Sequence, residues 1–257
     1  MKLSIVVPAY NEEGRIRRML EAYLPYFAER YGNDFEIIVS VNGTTDRTEE
    51  IVRGLQSRFP QLRMTVDPRP IGKGGAIMAG GAVAQGGLVG FVDADGATPP
   101  AAFNDLVENI GGAGLIIASR RLKGAVVNPR QPWNRRVASR IFNFLVRRLF
   151  KLRITDTQCG AKLMTAEAWR AIVPQIGLTR WAFDVDMLFK TRRAHYGIRE
   201  IPTTWSDVGG SKLKVGRVSL QMLLAICRLR LLYSPFRWVV SLYDRVLGRA
   251  HLDAVGR

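Results

Sequence analysis

The first half of the chain alternates short apolar runs, rich in β-branched residues, with longer amphipathic segments. This alternation is typical of βα units, in which successive strands lie parallel in one sheet and helices cover its faces. The predicted strands are residues 3–7, 36–41, 63–66, 88–93 and 115–119. The predicted helices between them are residues 14–30, 48–58, 75–84 and 101–110. The sequence therefore predicts an α/β domain with a mostly parallel, twisted sheet flanked by helices, and 257 residues are enough for its core.

The second half of the chain changes to basic amphipathic segments. Residues 134–152 are predicted to form one such helix, with an apolar stripe of Val137, Ile141, Leu145 and Leu149 beside Arg136, Arg140, Arg147 and Lys151. Two further amphipathic helices follow Ser219, with a break at Pro235. Packing in the core and binding to a membrane surface both remain open for these segments. We expect a catalytic or binding domain of residues 1–215 and a C-terminal amphipathic segment of residues 216–257.

The chain is strongly basic, with 38 lysines and arginines against 22 aspartates and glutamates and a formal net charge of +16. Such a charge predicts attraction to an anion, which could be nucleic acid, acidic lipid or a phosphorylated substrate. The two cysteines, Cys159 and Cys227, provide neither a disulfide framework nor a metal-binding cluster. We predict no signal peptide and no transmembrane helix, since Arg228 and Arg230 interrupt the most apolar late segment.

Two aspartates one residue apart, Asp93 and Asp95, close the apolar run of residues 88–92. Ligands bind at the carboxyl ends of strands in open α/β sheets, and hard cations such as Mg²⁺ and Mn²⁺ prefer carboxylate and phosphate oxygens. A solvated turn is the alternative for an isolated pair of this kind. Here Thr98 is a predicted N-cap and Pro99 a predicted first helical residue, which places the pair between a strand and a helix. The pattern favours a metal that holds a phosphate-bearing substrate.

Three other polar turns also follow predicted strands: residues 8–13, 42–46 and 72–75. Each of them could line the same edge of the sheet, although glycine, asparagine and aspartate are also common in ordinary turns. The third turn, predicted as a flexible loop, carries Lys73 but has Gly74 where a P-loop needs serine or threonine. The first turn lacks the glycines of a dinucleotide-binding motif, so neither of those nucleotide-binding folds fits the sequence.

Taken in order, the motifs of this chain resemble those of family 2 glycosyltransferases. They are Pro8-Ala9-Tyr10-Asn11-Glu12, Gly43-Thr44-Thr45-Asp46-Arg47-Thr48, Gly72-Lys73-Gly74, Asp93-Ala94-Asp95, Asp156-Thr157-Gln158-Cys159-Gly160 and Gly210-Ser211-Lys212. Within that family, residues 93–98 and 156–163 are similar to the dolichyl-phosphate β-glucosyltransferase branch, which neighbours the dolichyl-phosphate mannose synthases. The resemblance covers residues 3–215. It implies a GT-A-type fold, a nucleotide-diphosphate sugar donor, Mg²⁺ or Mn²⁺, inversion at the anomeric carbon and a polyprenyl-phosphate (dolichyl-phosphate) acceptor.

The resemblance also implies roles for individual residues. Asp93 is expected to contact the ribose or sugar of the donor, and Asp95 to bind the metal with Asp93 as the second carboxylate. The other implied donor-binding residues are Pro8, Tyr10, Glu12, Asn42, Lys73, Ser211 and Lys212, of which the last two belong to a loop that closes over the donor. The residues expected to hold the acceptor phosphate are Arg120 and Arg135. The remaining catalytic residues are Asp156 and Gln158, which face the sugar and acceptor, and Asp184, which orients the acceptor.

Two positions depart from the family pattern. Val41 stands where the family usually has an aspartate that contacts the base, so the resemblance leaves both UDP and GDP open as the nucleotide. Asp186 replaces a glutamate of the family. A plainer role for Asp184 and Asp186 is to pair with the nearby Arg180 and Lys190.

We therefore expect an enzyme, a metal-dependent transferase, that moves glucose from UDP-glucose to a polyprenyl phosphate while bound peripherally to the cytoplasmic face of a membrane. A GDP-mannose-dependent synthase and a transferase with a non-lipid acceptor are the alternatives within the family. A nucleic-acid-binding protein is the alternative from another class, but many basic residues fall in amphipathic segments or beside the predicted phosphate site. We therefore expect no nucleic-acid partner, and the sequence leaves the oligomeric state open.

Overall fold

A seven-stranded sheet with the strand order β3-β2-β1-β4-β7-β5-β8 forms the centre of the fold. Its strands are β1 (Leu3–Ala9), β2 (Phe35–Asn42), β3 (Leu62–Asp67), β4 (Leu88–Phe91), β5 (Leu115–Ser119), β7 (Lys162–Thr165) and β8 (Ile198–Pro202). Strand β7 runs antiparallel to both of its neighbours, and all the other pairs in this sheet are parallel. Two short strands, β6 (Val126–Val127) and β9 (Thr204–Trp205), pair separately in parallel. The predicted mostly parallel sheet is confirmed.

The computed structural model describes residues 1–129, 133–177, 182–206 and 215–240, and it describes the side chains of these residues except 134, 135 and 215–220. The chain divides into two compact units, one of residues 1–131 with 154–210 and the other of residues 132–153 with 211–257. Arg180, Ser211 and Lys212, and the side chain of Arg135, lie outside the described part of the chain. The roles expected for these four residues therefore stay predictions.

The described part of the first unit contains six α-helices: α1 (Ile16–Tyr31), α2 (Thr48–Gln56), α3 (Gly72–Ala82), α4 (Pro100–Asn109), α6 (Ala166–Ile172) and α7 (Phe183–Arg193). All four helices predicted for the first half of the chain are present. Helix α3 begins at Gly72, so the segment expected to be a flexible loop is the first turn of a helix. The N-cap of α4 is Pro99 rather than Thr98, one residue later than expected. Strand β4 ends at Phe91, which leaves Asp93 in the turn that follows it.

The core lies on both faces of the sheet because helices cover both of them. Leu3, Ile5 and Val7 of β1 are fully buried in the same cluster as the apolar side of α1. On the opposite face, α3 packs directly on β1, and a Cβ on Gly80 would lie only 2.5 Å from a methyl group of Val6. Removal of this much apolar surface from water, about 1.5–3 kcal/mol for each large aliphatic side chain, stabilises the sheet that carries the polar turns.

The second unit contains α5 (Trp133–Phe150) and α8 (Val215–Leu232), which contact each other. The predicted basic helices are confirmed, and the predicted apolar stripe of α5 is not its buried side. Phe142, Val146 and Phe150 are buried, whereas Val137 and Ile141 are exposed. The chain turns at residues 233–236 and is helical again at residues 237–240, as the break at Pro235 predicted. Among the described residues, no helix is both long enough and apolar enough to cross a membrane.

Candidate active site

The turns after β1 and β2 are joined by hydrogen bonds at the carboxyl edge of the sheet. The side-chain Nδ2 of Asn42 donates to the carbonyl oxygen of Ala9 over 3.0 Å, which links the ends of the two strands. The backbone N–H of Glu12 donates to Oγ1 of Thr48 over 2.8 Å, and the N–H of Thr45 donates to Oδ1 of Asn11 over 2.8 Å. These bonds fix the two turns that are expected to bind the nucleotide. Asn42 has a structural role in them, because it joins the end of β2 to the end of β1.

The predicted donor-binding residues of the first turn differ in their exposure. Tyr10 is 53% exposed, and Pro8 is half-buried at the end of β1. The carboxylate of Glu12 receives two hydrogen bonds of 2.7 Å from Arg15. Burial raises the pKa of Glu12, Arg15 opposes this shift, and the charges of the nearby aspartates add to it. Glu12 therefore lies close enough to the acidic turn after β4 for the charge of that turn to raise its pKa.

The two aspartates of that turn are held differently. Oδ1 of Asp93 accepts an ion pair of 2.6 Å from Nζ of Lys73, which the first turn of α3 carries. Oδ1 of Asp95 accepts a hydrogen bond of 2.9 Å from the N–H of Ala97, within the turn itself. Burial raises the pKa of Asp95, and the neighbouring charge of Asp93 raises it further. A site of this kind favours an added cation, because a cation relieves the repulsion between the carboxylates.

Lys73 lies beside the acidic turn as a fixed positive charge. Partial burial opposes its charge, but Asp93 first and then Asp184 outweigh that effect, so the pKa of Lys73 is raised. Its ammonium group is 5.9 Å from the centre of the Phe91 ring. Lysine at this point is suited to bind a phosphate oxygen, since an ammonium group is a compact charge with three donors.

A second lysine, Lys162, lies near the same ring and was missed by the sequence reasoning. Its Nζ is 5.4 Å from the Phe91 ring centre, and it donates to the carbonyl oxygen of Cys159 over 2.7 Å and to Oδ1 of Asp184 over 2.6 Å. Lys162 is fully buried in β7. The signals in the sequence are its place in the segment 156–163, which resembles the family, and the apolar pair Leu163-Met164 that follows it. Asp184 therefore pairs with Lys162, a partner that the sequence did not predict, and Asp186 lies 3.9 Å from Lys190 as expected.

Arg120 and Asp156 form a buried ion pair with two-point contact. The Nε and Nη2 groups of Arg120 donate to the two carboxylate oxygens of Asp156 over 2.8 and 3.0 Å. Burial would raise the pKa of Asp156, but Arg120 outweighs burial and lowers it to about 2. The guanidinium carbon is 5.3 Å from the centre of the Trp205 ring, so an aromatic face also limits its movement. Both oxygens of Asp156 are engaged by Arg120, and its expected contact with the sugar stays a prediction.

The side-chain amide nitrogen of Gln158 is buried. Within the described residues, the side-chain Nε2 of Gln158 has no hydrogen-bond partner. An unsatisfied buried amide costs about 1–3 kcal/mol, so such groups commonly mark the place of a ligand or an ordered water. The main chain of Gln158 is fixed, since its N–H donates to Asp156 over 3.3 Å. This geometry suits a residue that donates to a substrate oxygen.

The acidic turn fits a divalent metal that is shared with a substrate. No three histidine, cysteine, aspartate or glutamate side chains gather into a metal-binding group in the described ranges. Mg²⁺ and Mn²⁺ are nevertheless often held by one or two carboxylates, with phosphate and water oxygens as the other ligands. Asp93 and Asp95 provide hard oxygen atoms of this type, and the ammonium group of Lys73 already lies against Asp93 as a cation. The donor set therefore fits Mg²⁺ or Mn²⁺ bound together with a diphosphate.

Comparisons with known proteins identify the family and the fold of the chain. The family model described as "Glycosyl transferase family 2" matches residues 4–172. The chain is 34% identical over 249 residues to dolichyl-phosphate beta-glucosyltransferase ALG5C of Trichomonas vaginalis, which covers 93% of this chain and 73% of that protein. It is 32% identical over 250 residues to the human dolichyl-phosphate beta-glucosyltransferase, covering 92% of this chain and 77% of that protein.

Solved structures share the fold. Glucosyl-3-phosphoglycerate synthase of Mycobacterium tuberculosis, crystallised with Mn²⁺, UDP and phosphoglyceric acid, matches with a TM-score of 0.66 at 18% identity, over 88% of this chain and 77% of that one. TarS of S. aureus, crystallised with UDP-GlcNAc, matches with a TM-score of 0.60 at 18% identity, over 91% and 68%. The predicted α/β fold of GT-A type is confirmed. Sheet, family model and relatives all agree with the ordered motifs, and the chain belongs to glycosyl transferase family 2.

Proposed function

We propose that this enzyme transfers glucose from UDP-glucose to a polyprenyl phosphate, with inversion at the anomeric carbon and with Mg²⁺ or Mn²⁺. One observation carries the proposal. The acidic turn of Asp93 and Asp95 and the paired arginine Arg120 lie in one unit of the fold, joined by the short segment 156–160. Such a pairing provides a place for a donor diphosphate and a place for an acceptor phosphate. The relatives that are named dolichyl-phosphate beta-glucosyltransferases support the same choice of sugar and acceptor.

The chemistry of the proposed reaction matches the charges of the site. Cleavage of a sugar–diphosphate bond leaves a highly negative leaving group, and a bound divalent metal would supply Lewis-acid stabilisation of that charge. Lys73 contributes a fixed cation on the same side of the turn. A phosphate acceptor is already ionised at neutral pH, so the reaction needs no strong protein base. Asp184, which is bound to Lys162, orients the acceptor side of the site rather than removing a proton.

The choice of nucleotide depends on residues other than Val41. This residue is 2% exposed and has no side-chain acceptor for a base. The neighbouring Asn42 donates one of its side-chain N–H groups to the carbonyl oxygen of Ala9. We favour UDP because the bacterial synthase that shares the fold was crystallised with UDP and Mn²⁺. A GDP-mannose donor is the alternative that the experiment below distinguishes.

We also propose that residues 1–215 form the catalytic domain and that the amphipathic segment 216–257, together with α5, lies on the cytoplasmic face of a membrane. The exposed side of α5 supports this proposal: Trp133 is 76% exposed, Phe144 62% and Ile141 57%. Arg136 and Arg140 are also exposed on the same helix. Large apolar side chains beside arginines are suited to a surface with apolar tails and anionic head groups. Such a surface is where a polyprenyl phosphate is found.

The test is a transfer assay with purified protein, a short-chain polyprenyl phosphate and either Mg²⁺ or Mn²⁺. Radiolabelled UDP-glucose and GDP-mannose are offered in parallel. Label that enters the lipid fraction from UDP-glucose is the expected result. Label from GDP-mannose alone would replace the proposed donor, and slow release of free glucose without lipid label would overturn the proposed acceptor.

A further inference from the structure

Glu200 of β8 holds the segment that carries Asp156. Its carboxylate accepts hydrogen bonds from the N–H of Thr155 at 2.8 and 2.9 Å, from Oγ1 of Thr155 at 2.8 Å and from the N–H of Asp156 at 3.1 Å. All of these groups are donors. An ionised carboxylate is the side chain that can accept from all of them at once, because it has only acceptor sites.

The pairing of strands β8 and β5 fixes the position of Glu200 relative to Thr155 and Arg120. Strand β8 pairs in parallel with β5, and Glu200 lies opposite Ile117 in that pairing. Strand β5 ends at Ser119, directly before Arg120, and the hydroxyl groups of Ser119 and Thr155 are 2.9 Å apart. The segment that begins at Thr155 is therefore attached to the end of β5 through Ser119 and to β8 through Glu200.

A continuous chain of contacts leads from Glu200 to Arg120. Glu200 binds the main chain of Asp156, and the carboxylate of Asp156 binds the side chain and the N–H of Arg120. Trp205 lies against the guanidinium group. Asp156 binds the Nε edge of Arg120, and in the described part of the chain the N–H groups of Nη1 and the second N–H of Nη2 remain available to another anion. The direction in which those groups point is set by Asp156, and hence by Glu200.

We infer that Glu200 is a positioning residue for phosphate binding by Arg120: it does not touch the acceptor, but it fixes the Asp156 carboxylate that aims the guanidinium group. This inference rests on the proposed function, in which Arg120 holds the acceptor phosphate. Fixed orientation matters because a preorganised arginine binds phosphate through two parallel hydrogen bonds only within a narrow range of geometries. Loss of Glu200 weakens acceptor use while leaving donor binding intact.

The test is a double-mutant cycle between Glu200→Gln and Arg120→Ala. The amide of glutamine would present a donor to the N–H of Thr155, so the variant keeps the size of Glu200 and disturbs its hydrogen bonds. We expect kcat/KM for the polyprenyl phosphate to fall about tenfold in Glu200→Gln, mainly through KM, with unchanged affinity for UDP in the presence of Mn²⁺. In the Arg120→Ala background the same change is expected to cost less than about twofold. The matched control is Glu29→Gln, an exposed glutamate of α1, with unchanged kinetics.

Two results would overturn the inference. Equal losses in both backgrounds would show that Glu200 does not act through Arg120, and unchanged kinetics in Glu200→Gln would show that it does not act at all. If Glu200→Gln fails to fold, Thr155→Val takes its place in the cycle, since it removes the hydroxyl group that contacts Glu200 and Ser119 and keeps both backbone N–H groups. Wild-type protein that transfers sugar to no lipid phosphate contradicts the proposed function instead. In that case the same double-mutant cycle is measured by the affinity of each variant for farnesyl phosphate. If the losses of affinity caused by the two substitutions simply add, the two residues act independently and the inference is overturned.

Discussion

The carboxylate of Asp93 lies in the space that a side chain on Gly160 would occupy. A Cβ on Gly160 would lie 2.0 Å from Oδ2 of Asp93 and 2.5 Å from its carboxylate carbon. The backbone of segment 156–160 is thus packed against the acidic turn at one end, while Asp156 binds Arg120 at the other. The glycine at position 160 allows the two parts of the site to lie this close, because any side chain there would displace the Asp93 carboxylate.

Gly160→Ala is expected to lower kcat at least about tenfold, because the added methyl group must push the Asp93 carboxylate away from its place. The measurement is steady-state transfer at saturating donor and acceptor, with the melting temperature recorded beside it. Gly177→Ala is the control, since a Cβ there has no neighbour within 4 Å. Full activity in Gly160→Ala would show that the position of Asp93 is not critical.

Asp95→Ala is expected to abolish Mn²⁺-dependent binding of UDP, because it removes one of the two carboxylates available to the metal. Isothermal titration of UDP with and without Mn²⁺ measures the effect. Asp105→Ala, on the exposed side of α4, should bind as the wild type does. Tight Mn²⁺-dependent binding by the Asp95 variant would contradict the metal assignment.

Lys73→Met is expected to weaken UDP binding about tenfold or more, because a fixed cation beside the diphosphate is lost. Its loss also leaves Asp93 without its 2.6 Å partner. Titration of UDP in the presence of Mn²⁺ again measures the effect, with the exposed Lys123→Met as the control. Equal affinities for the two variants would remove Lys73 from the donor site.

The Arg120–Asp156 pair predicts a specific dependence of stability on pH. The pKa of Asp156 is lowered to about 2 in the folded protein, so its contribution to stability is complete above the unfolded pKa near 4. That contribution, roughly 2 kcal/mol, is lost as the pH falls through the folded value. In urea unfolding at a series of pH values, the advantage of wild type over Asp156→Asn should therefore shrink between about pH 4 and pH 2.

Asp105→Asn is the contrasting variant for that experiment, because partial burial raises the pKa of Asp105 instead of lowering it. The free energy of unfolding of wild type relative to Asp105→Asn should therefore not fall as the pH is lowered. An advantage for wild type over Asp156→Asn that stays constant down to pH 2 would contradict the assigned shift.

Phe144→Ser is expected to reduce binding to vesicles that contain anionic lipid by about tenfold, since an exposed phenylalanine loses its apolar burial in the membrane. Co-sedimentation with vesicles of phosphatidylcholine and phosphatidylglycerol is the measurement. Val66→Ser, which changes an exposed valine on β3, is the matched control. Equal binding by both variants would exclude the exposed side of α5 from the membrane contact.

The periodic parts of the fold could be predicted from the sequence, and contacts distant along the chain could not. Strands β1 and β2 were evident because they are buried on both faces, so their sequences are almost continuously apolar. The short β7 and β8, which carry Lys162 and Glu200, were not predicted. The first turn of helix α3 was misread as a loop because its glycines, Gly72, Gly74 and Gly75, are of a residue type usually found in turns. Helix α5 has apolar residues on two sides, and periodicity alone does not say which of them is packed.

The same distinction holds for the site. Asp93, Asp95 and Arg120 were identified by motifs that are local in the sequence. Glu200 was not, because it acts on residues 44 and 45 positions earlier, and nothing in its own neighbourhood indicates that contact. The pairing of Lys162 with Asp184 likewise depends on β7 and α7 meeting in three dimensions.

The buried pair of Lys162 and Asp184 also limits how this chain can change over evolutionary time. Replacement of either residue alone would leave one charge uncompensated in the interior, at a cost of about 3–5 kcal/mol. An ordinary domain has only about 5–15 kcal/mol of stability in total, so each single replacement removes much of it. The two positions, 22 residues apart, are therefore inherited together: a descendant that has lost one should be found to have lost both.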